Sequence, residues 1–137
     1  MSFRTLVALL ALAAVSAIQG LAHHSFAAEF DEKQPFEMTG ILTKVQWQNP
    51  HIWYYLDVKN ADGSVTNWGF SGAAPGALMR RGVAKDALKL GSVVIVRGFK
   101  AKDGSHNAYG SRVTFEDGRN VFTSGTDAPE QSKAGKQ

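Results

Sequence analysis

Ile52-Trp53-Tyr54-Tyr55-Leu56-Asp57-Val58-Lys59, followed after Asp62-Gly63 by Val65-Thr66-Asn67-Trp68-Gly69-Phe70, is the stretch that decides the fold. Aromatic and β-branched residues dominate both halves, and such side chains suit a pleated, half-buried surface. Side chains alternate along a strand, so Ile52, Tyr54, Leu56 and Val58 share one face while Trp53, Tyr55 and Asp57 share the other. Asp-Gly is a strong hairpin signal because glycine accepts a positive φ without steric penalty. Two antiparallel strands are therefore predicted, over 52–59 and 65–70.

Working outward, Phe36 to Trp47 alternates with a period of two, Ile41, Thr43, Val45 and Trp47 against Leu42, Lys44 and Gln46, and predicts an earlier strand. Asn49-Pro50 breaks it with a turn, and His51 follows directly. After the hairpin, Pro75 suits a first helical turn and Gly82 a stop, so one short helix is predicted within 72–82. Val93-Val94-Ile95-Val96 reads as a buried fourth strand closed by Gly98, and Tyr109 to Phe115 as a fifth after Asp103-Gly104. Asp117-Gly118 marks a last turn before Val121-Phe122.

Five short strands with one helix between the third and fourth is the order of a mostly β, OB-like barrel, whose helix plugs one end of the closed sheet. Glycines at 40, 69, 98 and 110 fit the sharp coiling of a small barrel. A small open β-sandwich is the alternative, which strand order alone does not exclude.

The ends read differently. Arg4, the uncharged run Leu6–Ile18 and the small residues of Gly20-Leu21-Ala22 form the pattern of a cleaved secretory signal over 1–22, with the cut before His23. Ser16, Gln19 and Gly20 leave the run short of the roughly 20 apolar residues a membrane helix needs. Export to the periplasm is expected, with no membrane span after cleavage. Residues 23–35 lack a period and read as an N-terminal arm, 36–122 as the barrel, and 123–137 as a disordered tail with little to bury. The chain has no cysteine, so disulfides and thiolate metal sites are excluded. A pI near 9.3 with charges of both signs scattered along the chain describes a solvated surface, and a nucleic-acid partner is not expected.

The segments His23-His24-Ser25-Phe26, Gly40 through Trp47 with Asn49-Pro50-His51, Trp68 with Leu78 to Gly82, and Gly91 onward with Ala101 to Gly104 resemble a family of small exported bacterial proteins of unknown function. The resemblance spans nearly the whole chain after the signal. It implies a periplasmic, β-rich domain and no particular activity.

Two sets of residues carry candidate chemistry. After cleavage His23 has a free α-amine beside its imidazole, and both supply neutral nitrogen near pH 7. A third nitrogen from His24 or His51 completes the tetragonal set that favours Cu(II), an arrangement similar to the histidine brace of copper-binding proteins. His23, His24 and His51 are thus the candidate metal ligands, copper the candidate ion, and solvated or structural histidines the plainer alternative. His106, on a loop tip, is expected to be exposed.

The second set is aromatic. Trp53 and Tyr55 share a face on strands that in OB barrels bind oligosaccharides or oligonucleotides, which makes them candidate ligand-binding residues for an envelope protein or a glycan. The alternative covers them with the arm through Phe26 and Phe30, and packs Trp47 and Trp68 inside. Arg80-Arg81 reads as favourable charge at a helix C-terminus, worth roughly 0.3–1 kcal/mol each. Nucleophilic catalysis lacks its usual parts: there is no Cys, no Gly-x-Ser-x-Gly elbow and no phosphate loop. No catalytic residue is assigned, and a binding module is expected in preference to an enzyme.

Overall fold

β1 (Phe30–Gln46) is the longest element of the computed structural model, which describes residues 26–125. It serves two neighbours in turn. Phe30 to Ile41 pairs antiparallel with β4 (Val93–Ala101), and Ile41 to Gln46 with β2 (Trp53–Lys59). Gly40 stands at the changeover, where a Cβ would come within 2.7 Å of the Asp57 carbonyl oxygen. A strand can bend this far only where a side chain is missing.

β2 pairs with β3 (Val65–Ser71) across the Asp62-Gly63 turn, and β4 pairs with β5 (Asn107–Phe115), both antiparallel. Gly69, Phe70 and Ser71 then pair in parallel with Asn107, Ala108 and Tyr109. This last contact closes the ring β1-β2-β3-β5-β4, a five-stranded mixed barrel of OB-like order, and removes the open sandwich. β6 (Asn120–Phe122) is an extra strand on the remaining half of β5. Between β3 and β4 lies α1 (Pro75–Arg80), which places Leu78 in the barrel core. Pro75 opens it, and Gly82 closes it at φ 81° with Gly82 N–H bonded to Met79 O and Val83 N–H to Leu78 O. That pair of bonds is a Schellman stop, and it needs glycine at the left-handed position.

Leu42, Ile52, Tyr54, Leu56, Phe70, Leu78, Val96 and Val113 are fully buried, each worth roughly 1.5–3 kcal/mol of apolar burial. Trp47 and Trp68 are partly buried against this core, on the inward side expected of them. Tyr54 is the largest fully buried side chain, and its hydroxyl is satisfied by a relay. Thr123 Oγ1 donates to the Gly110 carbonyl at 2.7 Å, which uses its one hydrogen, so Tyr54 Oη donates to Thr123 Oγ1 at 3.2 Å. Burial pushes the Tyr54 phenol well above its ordinary 10.0.

Element boundaries differ from the sequence expectation at several points, among them the start of β5, which is Asn107 and not Tyr109. Pro35 does not end an arm: residues 30–35 already belong to β1, with the register shifting between Phe30 and Pro35, and a bulge is where a strand tolerates a residue without an N–H. β4 continues past Gly98 to Ala101 because the register shifts at Arg97/Gly98. Thr123, where the tail is expected to begin, is fully buried by the Tyr54 relay. Residues 1–25, which include the expected signal, His23 and His24, and residues 126–137 lie outside the described residues.

A Cβ at position 110 would sit 1.8 Å from Tyr54 Oη, and one at position 98 would sit 1.7 Å from the Tyr109 carbonyl oxygen. Gly110→Ala is expected to cost at least about 1–3 kcal/mol in urea unfolding, with part recovered by adding Tyr54→Phe, which removes the nearest clashing atom. Gly98→Ala, opposed by backbone, should show no such recovery.

Candidate functional site

Alternation along β2 sends Ile52, Tyr54 and Leu56 into the core and leaves Trp53 and Tyr55 partly buried on the outer face. Their rings stack on each other, 6.4 Å apart at 26°. Gly69, the β3 partner of Tyr55, forms the floor beneath them. A Cβ there would meet Asn107 Oδ1 at 2.8 Å, Tyr55 Cε1 at 3.2 Å and Trp53 Cζ3 at 3.5 Å. Two aromatic rings and one amide therefore converge over a single residue without a side chain. Tyr55 Oη donates to Gln46 Oε1 at 2.8 Å, and Lys44 Nζ lies 5.3 Å from the Tyr55 ring centre. The shelf is thus held by β1 as well as by β2 and β3.

Trp53 also borders a cleft of about 470 Å³. Ala28, Phe30 and Ala101 give it an apolar side, and Glu29, Lys102, Asp103 and Asn107 a polar one. Lys102 and Asp103 belong to the β4–β5 connection, one of the loops through which OB barrels bind ligands. Hydrogen bonding from Ser105 holds the Asp103 carboxyl below its ordinary 3.8, so this wall keeps its charge through the neutral range. An apolar recess with a few convergent polar groups is the usual form of a small-molecule site.

Phe26 and Phe30 pack with Phe99 and Tyr109 in a cluster of their own, Phe26 edge-on to Tyr109 at 5.0 Å. Phe30, opposite Ala101 at the start of β1, also lines the cleft that Trp53 borders, so the arm meets the edge of the shelf.

His51 is exposed, and its Nδ1 lies 2.9 Å from the Gly72 carbonyl oxygen. A carbonyl only accepts, so Nδ1 carries the hydrogen and the neutral ring keeps its lone pair on Nε2. The preceding Asn49–Pro50 peptide is cis. His106 is exposed, as its loop position implies, and its ring lies 5.1 Å from that of Trp68. Among the described residues no group of three or more His, Asp or Glu side chains is arranged to hold a metal ion. His23 and His24 fall outside those residues, so the candidate histidine set is present only through His51.

Gln46, Gly69, Lys102 and Asn107 complete the shelf and its cleft; of these the sequence singles out only Gly69, and that for strand coiling. Asn107 joins Trp53 only because β5 pairs with β3, with Gly69 opposite Asn107 although the two are 38 positions apart. The Asp103-Gly104 turn was the one local sign of that loop.

Fold and site together define a small closed OB-like barrel with a recessed aromatic shelf on the outside of β2 and β3. Residues 10–112 match the model of a family of unknown function, DUF6152, and the chain belongs to that family. No curated protein matches the sequence.

Trp53 and Tyr54 are neighbours on opposite faces. Trp53→Ala is expected to lower the unfolding free energy by less than about 1.5 kcal/mol, against roughly 3–5 kcal/mol for Tyr54→Ala, an aromatic truncation in the core. Parallel urea titrations of the two variants decide it, and equal losses would place Trp53 in the core.

Proposed function

We propose that the chain is a small exported binding module, acting in the periplasm, whose ligand lays a sugar ring on the Trp53–Tyr55 shelf and reaches into the adjoining cleft. The observation that carries this reading is the convergence of Trp53, Tyr55 and the Asn107 amide over Gly69. A pyranose offers an apolar face to aromatic rings and hydroxyls to neutral amides, and Gln46 and Asn107 supply such amides at the two sides of the shelf. The signal pattern of residues 1–22 supports export. Cellotetraose and the tetramer of N-acetylglucosamine, titrated against tryptophan fluorescence and by calorimetry, are the probes. Binding by the wild type that falls at least about tenfold in Trp53→Ala, with melting unchanged, is the expected result. A flat titration with both sugars, or an unaffected variant, removes the glycan. An envelope protein captured only when Trp53 is present would put a protein in its place.

A second reading rests on His51. Metal-bound imidazoles usually donate their other ring N–H to a carbonyl or carboxylate, which fixes the tautomer and aims the lone pair, and the His51–Gly72 bond has this form. Phe26 packs on Tyr109, and Tyr109 pairs with Ser71, the neighbour of Gly72. His24 stands two residues before Phe26, and two residues of extended chain span about 7 Å. On this reading the α-amine and ring of His23, with His24 or His51, hold Cu(II). Protein beginning at His23 should bind Cu(II) in calorimetry at least about tenfold more tightly than protein with one extra N-terminal residue or with His51→Ala. Equal, weak binding by all three discards copper, as does a mature N-terminus other than His23 in mass spectrometry of the exported protein.

A further inference from the structure

A second cleft, also of about 470 Å³, opens between the segment that follows α1 and the β5–β6 hairpin, and shares no lining residue with the Trp53 cleft. Its walls are cross-braced. Arg81, just past α1, donates from Nη2 to the Ser124 carbonyl beyond β6. Arg119, just before β6, donates from Nη1 to the Ala87 carbonyl at 3.1 Å on the opposite wall. Arg119 also lies 3.9 Å over the Phe115 ring. Each guanidinium has five N–H donors in a rigid fork, so each keeps donors to spare after these bonds while losing much of its freedom to move. Val83, Ala87, Val121 and Phe122 give the rest of the lining its apolar part, with Gly82 and the amide of Asn120 beside them.

No residue lining this cleft is acidic. Asp117 Oδ2 lies 3.9 Å from Arg119 Nε, and both side chains are exposed, so water screens that pair heavily. Two braced guanidiniums facing an apolar lining suit a single negative group attached to an apolar body. A planar carboxylate matches the Arg fork in two parallel hydrogen bonds, while a small hydrated inorganic anion would leave the apolar lining wet.

We propose that this cleft is a binding site for a small organic carboxylate with an apolar body, gripped by Arg81 and Arg119. The site is independent of the shelf and of the histidines, so its success or failure leaves both earlier readings untouched.

The test uses the chain from His23 onward with three probes, sodium benzoate, neutral benzamide and inorganic phosphate, followed by ¹⁵N-resolved NMR. Benzoate should shift the Arg81 and Arg119 side-chain Nε–H signals and the Val83 and Val121 amides saturably. Benzamide and phosphate should each bind at least about tenfold more weakly, and Arg81→Gln should weaken benzoate by a similar factor with an unchanged melting curve. Shifts that avoid the cleft, or benzamide as tight as benzoate, overturn the proposal. Phosphate as tight as benzoate overturns the assigned class. Full benzoate affinity in Arg81→Gln overturns the grip. The comparison of the three probes on the wild type stands without any variant, so a poorly folded Arg81→Gln would not rescue the idea.

Discussion

The three-residue parallel contact between Gly69–Ser71 and Asn107–Tyr109 is the constraint on which the rest of the molecule depends. A six-stranded antiparallel arrangement ordered β3-β2-β1-β4-β5-β6 would leave β3 at an open edge, and the contact turns that edge onto β5. Closure requires strong coiling, and the chain supplies it with register shifts at Phe30/Pro35, Leu42/Lys44 and Arg97/Gly98. Bulges of this kind raise local twist at the cost of an unpaired residue. Gly98 and Gly110 then admit the Tyr109 carbonyl and the Tyr54 ring at distances no other residue tolerates.

Once the ring is closed, β2 serves two purposes with alternating side chains. Its inward Tyr54 fills the barrel and anchors the end of the chain through Thr123. Its outward Trp53 and Tyr55 lie over Gly69, whose missing side chain makes room for them and for Asn107. The same pairing that seals the core thus assembles the shelf, and a disturbance of the β3–β5 contact would reach both. The carboxylate cleft is built by other means, two arginines each tied to a carbonyl on the facing wall. Ring stacking and paired guanidiniums are chemically separate, and the fold keeps them on separate surfaces.

Much of this was legible in the residues themselves. Alternation in 52–59, the Asp62-Gly63 turn, Pro75 and Gly82 around α1, and the order of five strands about one helix all report local geometry and pointed to the barrel, with the open sandwich removed by the β3–β5 pairing. The outward position of Trp53 and Tyr55 was legible for the same reason. Less so were the true start of β1, because a bulge lets Pro35 sit inside a strand, and the burial of Thr123, because its partners Tyr54 and Gly110 are remote in the chain.

Local patterning settled which segments form strands, which face of β2 turns inward and where the turns fall, since each depends on side-chain periodicity and on the backbone freedom of a few glycines; in β1 the bulge between Leu42 and Lys44 broke the expected alternation, burying Leu42 and exposing Ile41. Only the tertiary structure decided that Asn107 stands beside Trp53, that Phe26 and Phe30 pack on Tyr109, and that Arg81 and Arg119 line one cleft. Those outcomes depend on which distant strands meet and in what register, and that is settled by closing the barrel as a whole.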